Sequence, residues 1–129
     1  PPIVEAIGLG VALNYMMQVG RDRIATYEAE IARYAGERLS ELPWLKLYGT
    51  APGKGAIFSF TMDGLHPHDV STIIDRSGVA IRAGHHCAQP LMERLGVTAT
   101  CRASFAMYST QAEVDALVAA LTRAHDLFA

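Results

Sequence analysis

Residues 56–74, AIFSFTMDGLHPHDVSTII, decide the fold class, because a strand pattern is followed closely by the start of a helix. In residues 56–62, large apolar side chains alternate with others, which is the period of a strand with one buried face. His66-Pro67 then predicts a helix start, since proline suits the first helical position. The alternating apolar residues are Phe58, Phe60 and Met62.

Three further stretches carry strand patterns. A glycine- and proline-rich link joins the first of them to residues 56–62, which predicts a hairpin. The three predicted strands are WLKLYG (44–49), VAIRA (79–83) and TCRASFAMY (100–108).

Helical patterns occupy most of the remaining chain. Thr110 and Glu113 form a capping-box sequence at the start of the last helix. The inner face of that helix is predicted to consist of Val114, Leu117, Val118, Leu121, His125 and Phe128. The other predicted helices cover residues 3–17, 20–42 and 90–96, besides the one that begins at His66-Pro67.

The order α-α-β-β-α-β-α-β-α predicts a single α+β domain over residues 1–129. Its sheet is expected to be small and mostly antiparallel, with helices packed on one face. The net charge of −2 provides no basic field for nucleic acid or anionic lipid. The apolar residues 1–17 are interrupted by Glu5 and Asn14 and are shorter than the ~20 that a membrane span needs, so no membrane partner is expected.

RAGHHCAQPL, residues 82–91, holds the residues that point to chemistry. A thiol reacts as its thiolate, which nearby positive charge favours, and Cys87 follows Arg82, His85 and His86. A reactive and a structural role for Cys87 both remain open at this point. Cys101, among small apolar residues, is typical of a buried structural thiol.

Two cysteines in a chain of this size do not make a disulfide framework, and a reducing cytoplasm is the expected compartment. Pairing of Cys87 with Cys101 is therefore not the favoured interpretation. The histidines and cysteines also lack the spacing of zinc ligands, so no metal site within the chain is expected.

Arg82 and Arg102 both lie on predicted strands among small apolar residues. A guanidinium in such surroundings is suited to hold a carboxylate through two parallel hydrogen bonds. A structural salt bridge or an exposed edge strand remains the alternative. The residues alone thus indicate a thiol beside anion-binding arginines, without indicating a reaction.

RAGHHCAQPLM and CRASFAMYST, followed by a capped terminal helix, resemble the C-terminal part of the SufS-type (group II) cysteine desulfurases and selenocysteine lyases. The resemblance extends over essentially the whole chain. It implies the small C-terminal domain of a fold-type I pyridoxal phosphate enzyme that works as a homodimer. Such enzymes take sulfur from L-cysteine, or selenium from L-selenocysteine, and release L-alanine.

The resemblance also assigns roles to residues. Cys87 matches the nucleophile that becomes a persulfide, and Arg102 matches the arginine that holds the substrate carboxylate. Arg82 matches a second active-site arginine, while His85 and His86 receive only a supporting electrostatic role. The sulfur then passes to a Suf-type acceptor protein for iron–sulfur cluster assembly. His68 is a candidate docking residue, and where the acceptor bears zinc, as for some relatives, it is placed to reach that metal.

One departure from the family is an absence. Its large domain carries the lysine that binds pyridoxal phosphate, and neither Lys46 nor Lys54 stands in a matching motif. We therefore expect a fragment, with residues 1–20 as the helix leading from the missing domain, that neither holds the cofactor nor turns over cysteine alone. A non-enzymatic module that carries a thiol for binding is the alternative of another class.

Overall fold

The computed structural model describes residues 1–128 of the chain. They form five helices and four strands, in the order predicted from the sequence. The helices are α1 (Ile3–Val19), α2 (Arg21–Ser40), α3 (Pro67–Asp75), α4 (Gln89–Leu95) and α5 (Gln111–Asp126). The strands are β1 (Leu45–Tyr48), β2 (Ile57–Met62), β3 (Arg82–Gly84) and β4 (Thr100–Ser104).

The strands form one antiparallel sheet in the order β1-β2-β4-β3, which confirms the predicted hairpin and the α+β class. Phe58 lies opposite Ala103 and Phe60 lies opposite Cys101 in the central strand pair. All four side chains are buried. One face of the sheet therefore carries the core, and the residues between them in sequence point to the other face.

Three helices cover the core face. Leu39 of α2, Ile74 of α3 and Leu121 of α5 have no exposed surface and pack in one cluster with the sheet. Burial of each such side chain contributes about 1.5–3 kcal/mol relative to leaving it in water. The helices on this face therefore fix the position of strand β4.

The starts of α3 and α5 lie where the sequence predicted them, and both are capped. The ring Nδ1 of His66 accepts a hydrogen bond of 3.3 Å from the backbone N–H of His68, and Pro67 is the first helical residue. At α5, Thr110 and Glu113 each accept a hydrogen bond from the other's backbone N–H.

Two predicted strands are too long. The strand predicted over residues 79–83 begins only at Arg82, because the N–H of Val79 bonds to the Ile74 carbonyl and closes the end of α3. The strand predicted over residues 100–108 ends at Ser104. Beyond it, the hydroxyl of Ser109 accepts a hydrogen bond from the N–H of Ala106, which turns the chain toward α5.

The prediction for the inner face of α5 is wrong at the C-terminal end of the helix. Phe128, which we predicted to face inward, is 62% exposed because the helix has already ended at Asp126. His125 is only partly buried, and its ring stacks on that of Trp44 with the centroids 4.5 Å apart. The predicted inward residues nearer the start of α5 are buried: Val114, Leu117, Val118 and Leu121.

Helix α1 differs from the other helices. None of its residues is buried within the described chain, and its apolar side chains lie on every side. Within residues 1–128 no single helix has the length and apolar character to cross a membrane. Only α1 and α2 taken together meet those two criteria, and they are bent by 80° where they join.

Candidate active site

A four-residue loop between β3 and α4 carries the exposed thiol of Cys87. His86 and Cys87 have φ angles of 56° and 59°, in the left-handed region that non-glycine residues rarely adopt. Each such residue costs about 1–2 kcal/mol. The N–H of Ala88 bonds to the carbonyl of His85 at 2.9 Å and closes the turn. The turn presents the sulfur to solvent.

The guanidinium of Arg82 contacts this sulfur, with 3.9 Å between Nη2 and Sγ. Arg82 also lies directly opposite Arg102 in the pairing of β3 with β4. Two like charges in directly opposite positions destabilise a sheet. An anion bound between the two guanidinium groups would remove that repulsion.

Arg102 has a second feature of an anion site. Its Nε is buried and has no hydrogen-bond partner among residues 1–128. A buried donor left unpaired costs about 1–3 kcal/mol, which a bound carboxylate would recover. Arg82 thus lies next to both other predicted site residues, since it contacts the Cys87 sulfur and lies opposite Arg102 in the strand pair.

The two histidines of the loop have different surroundings. His85 is exposed, whereas His86 is partly buried. The Nε2 atom of His86 lies 3.0 Å from the carbonyl oxygen and 2.9 Å from the hydroxyl of Thr100. Burial lowers the pKa of His86, and the nearby charges of Arg102 and Arg82 lower it further, while the bond to the Thr100 carbonyl opposes them.

Cys101 occupies the core face of β4. Its thiol is 1% exposed and lies 3.5 Å from the carbonyl oxygen of Pro67, and burial raises its pKa to about 12. The interpretation of Cys101 as a buried structural thiol is confirmed. Both cysteines of the chain are free thiols in the structure.

His68 lies outside this cluster in the chain, in the first turn of α3. It is exposed, and its ring stacks on that of His66 with 5.5 Å between the centroids. Among residues 1–128, no three histidine, cysteine, aspartate or glutamate side chains are grouped to hold a metal ion. Any metal contact by His68 would therefore involve ligands from elsewhere.

Thr100 is the residue of the site that sequence reasoning missed. It is fully buried, receives the His86 ring, and lies on the same face of β4 as Arg102. Its hydroxyl also lies 3.9 Å from the sulfur of Met92 in α4. The alternation of a strand could have indicated this, because residues two apart, such as Thr100 and Arg102, lie on the same face.

The chain's lysines lie elsewhere. The ammonium of Lys46, on edge strand β1, lies 5.3 Å from the centre of the Tyr48 ring, and that of Lys54 lies 4.1 Å from the centre of the Phe58 ring. The arginine pair fits a carboxylate-bearing substrate. Neither lysine fits the tether of an aldehyde cofactor beside Cys87.

The sequence of this chain is similar to a known family and to named proteins. The family model described as aminotransferase class-V matches residues 1–117. A probable cysteine desulfurase of Streptomyces coelicolor is 47% identical over 130 residues, which include 99% of this chain and 31% of that protein. The chain thus spans about a third of the length of such curated relatives.

Solved structures agree with these matches. The cysteine desulfurase CsdA of Escherichia coli, in its S-sulfonic acid form, superposes with a TM-score of 0.91 at 36% identity. That match covers 100% of this chain and 32% of CsdA. An apo cysteine desulfurase of Thermococcus onnurineus NA1 gives a TM-score of 0.89 at 37% identity, covering 95% of this chain and 31% of that one.

Proposed function

This chain belongs to the aminotransferase class-V family, and we propose that it is the C-terminal part of a SufS-type cysteine desulfurase. The observation that carries the proposal is the exposed thiol of Cys87 in contact with Arg82, beside a cross-strand arginine pair. A sulfur-accepting nucleophile and a carboxylate site are what cleavage of cysteine to alanine requires.

In the proposed reaction, Arg102 and Arg82 hold the carboxylate of L-cysteine. The Cys87 thiolate attacks the substrate sulfur, an S–S bond forms on Cys87, and the substrate C–S bond breaks. The substrate carbon takes the bonding electron pair and then protons, and it leaves as L-alanine. Covalent capture of the sulfur divides one difficult transfer into two easier ones.

Pyridoxal phosphate, when bound to the whole protein, supplies the electron sink that makes the C–S bond labile. The two lysines of this chain do not fit its attachment, so we propose that a large domain outside residues 1–129 supplies that lysine. By itself this chain would then hold no cofactor and release no alanine. We propose a homodimer in the cytoplasm as the working form of the whole protein.

The sulfur on Cys87 must then reach a partner. We propose a Suf-type acceptor protein that delivers it to iron–sulfur cluster assembly, with His68 as part of the docking surface. Two features support His68: its exposure at the start of α3, and the stacking of its ring on His66, which limits its motion.

Selenocysteine cleavage is the alternative reaction within this proposal. L-Selenocysteine has the same carboxylate and amino group as L-cysteine, so the arginine pair holds both. Measuring alanine release from L-cysteine and from L-selenocysteine would therefore show whether Cys87 accepts sulfur or selenium.

The deciding experiment is mass spectrometry of the full-length protein after incubation with pyridoxal phosphate and L-cysteine, without reductant. We expect the mass of one sulfur atom on the peptide that carries Cys87, together with released alanine. Cys87→Ser should abolish both, and Arg102→Lys should raise KM for cysteine by about tenfold or more, because lysine cannot form the bidentate fork.

A free Cys87 thiol with cofactor bound would overturn the desulfurase proposal. Selenocysteine would then be the next substrate, and failure with both would favour the non-enzymatic thiol module. For His68, the variant His68→Ala in the full-length enzyme should reduce the stimulation of turnover by the acceptor. Unchanged stimulation would remove His68 from the docking surface.

A further inference from the structure

The left-handed backbone conformation of His86 and Cys87 is strained and must be stabilised by contacts outside the turn. Two consecutive non-glycine residues in this region together cost about 2–4 kcal/mol, so an untethered loop would relax. Within the loop, the backbone bond from Ala88 to His85 closes the turn but does not attach it to the sheet. Two side-chain contacts join the loop to the sheet: Arg82 of β3 contacts the Cys87 sulfur at 3.9 Å, and the His86 ring contacts Thr100 of β4.

The His86 ring makes the shorter of these two contacts, at 3.0 and 2.9 Å. The Thr100 carbonyl oxygen can only accept a hydrogen bond, so the Nε2 atom 3.0 Å away must carry the proton. This fixes the tautomer, with Nδ1 bare when the ring is neutral. Burial and the cations of Arg102 and Arg82 favour that neutral ring. The exposed His85 has none of these contacts among the described residues.

Thr100 connects the ring to the anion site. Thr100 and Arg102 point to the same face of β4, and Arg102 faces Arg82 across the strand pair. The ring of His86 therefore ties the turn at the sulfur to the strand that carries the arginine pair. Reaction between the sulfur and a substrate on that pair depends on the distance between them, and a misplacement of about 1 Å can cost about a hundredfold in rate.

We propose that His86 is a positioning residue: its ring, bonded to Thr100, holds the left-handed turn that keeps the Cys87 sulfur beside Arg82 and facing the arginine pair. His86 touches neither substrate nor the reacting atoms in this role. The catalytic consequence rests on the proposed function, whereas the tether can be tested without any reaction.

The first test measures the tether by amide hydrogen exchange in the full-length protein. In His86→Ala we expect the Ala88 amide, which closes the turn, to exchange about tenfold faster or more. The substitution removes the hydrogen bond to Thr100 that holds the strained turn in place. His86→Gln, which can place an amide N–H near the position of Nε2, should restore most of the protection. His85→Ala is the matched control and should leave the exchange of Ala88 unchanged.

The second test measures the consequence in turnover. His86→Ala should lower kcat by about ten- to a hundredfold while KM for cysteine stays within about twofold, and His86→Gln should recover much of kcat. A faster Ala88 exchange with unchanged kcat would overturn the positioning role. Unchanged exchange in His86→Ala would overturn the tether. If the wild type forms no persulfide, the proposed function fails, and the exchange result still decides the tether.

Discussion

Cys87 and Cys101 are the same residue type in two regions with opposite physical character. Cys101 lies in the middle of β4, where regular pairing fixes its backbone and the core covers its sulfur. Cys87 lies in a strained turn, exposed, with a guanidinium beside its sulfur. The two thiols thus differ in burial, in backbone conformation and in the charge beside the sulfur.

The two regions also depend on different interactions. Around Cys101 the stabilising contribution comes from apolar contact spread over many side chains, which no single polar bond controls. Around Cys87 it comes from a few directional bonds, those of His86 to Thr100 and of Ala88 to His85. Changes in the core should therefore lower the free energy of unfolding, while changes in the loop should alter reactivity.

The largest expected effect tests the core side of this contrast. Phe60 lies opposite Cys101 and is fully buried, so Phe60→Ala should reduce the free energy of unfolding by about 3–5 kcal/mol. Cys87→Ala should change it by no more than about 0.5 kcal/mol, because the side chain is exposed. Equilibrium urea denaturation measures both. Equal reductions in the free energy of unfolding for Phe60→Ala and Cys87→Ala would contradict the assignment of stability to the core and not to the loop.

The next effect compares the thiols directly. Because the pKa of Cys101 is raised to about 12, its thiolate fraction at about pH 8 is only about one in ten thousand. Iodoacetamide should therefore alkylate Cys101 at least about a hundredfold more slowly than Cys87, as followed by peptide mass spectrometry. In denaturant the two rates should converge, and similar rates in the native protein would refute the prediction.

The smallest effect is a pH dependence with opposite signs in the two regions. The pKa of His86 is lowered by burial, so its contribution to the loop is fully present above about pH 6.5 and is lost as the pH falls through the lowered pKa. The pKa of Cys101 is raised, so its contribution is present below about pH 8.5 and is lost as the pH rises toward about 12.

Amide exchange, corrected for its intrinsic pH dependence, measures this contrast. Protection of Ala88 should fall as the pH is lowered below about 6.5, because a proton on His86 would face Arg82, Arg102 and His85. Protection of the Cys101 amide should stay constant over that range. His86→Gln should remove the acid dependence at Ala88. An acid dependence that persists in this variant would assign it to another group.

The sequence predicted the elements better than their ends. Alternation in residues 56–62, the helix start at His66-Pro67 and the capping box at Thr110 are local patterns, and each holds in the structure. The start of β3 was misplaced because Val79 bonds to the end of α3, which is a contact between elements. Phe128 was placed inward because periodicity does not show where a helix stops.

The candidate site follows the same rule. Cys87, Arg82 and Arg102 were recognised as chemical types, but their clustering also required that β3 pair with β4 in the observed register. Their register could not be read, because one residue of slip would place the arginines on opposite faces. The left-handed turn was also hidden, since glycine is the residue that usually signals positive φ and none stands at His86 or Cys87.

The same short strand that carries Arg82 has a consequence for self-association. Strand β3 forms one edge of the sheet and is only three residues long, and β1 forms the other edge with four. Unpaired backbone groups at an edge invite strands from other molecules, and short length and charged side chains oppose such pairing. Arg82 and Lys46 place a cation on each edge. The guanidinium that contacts the Cys87 sulfur therefore also helps to keep neighbouring molecules from extending the sheet.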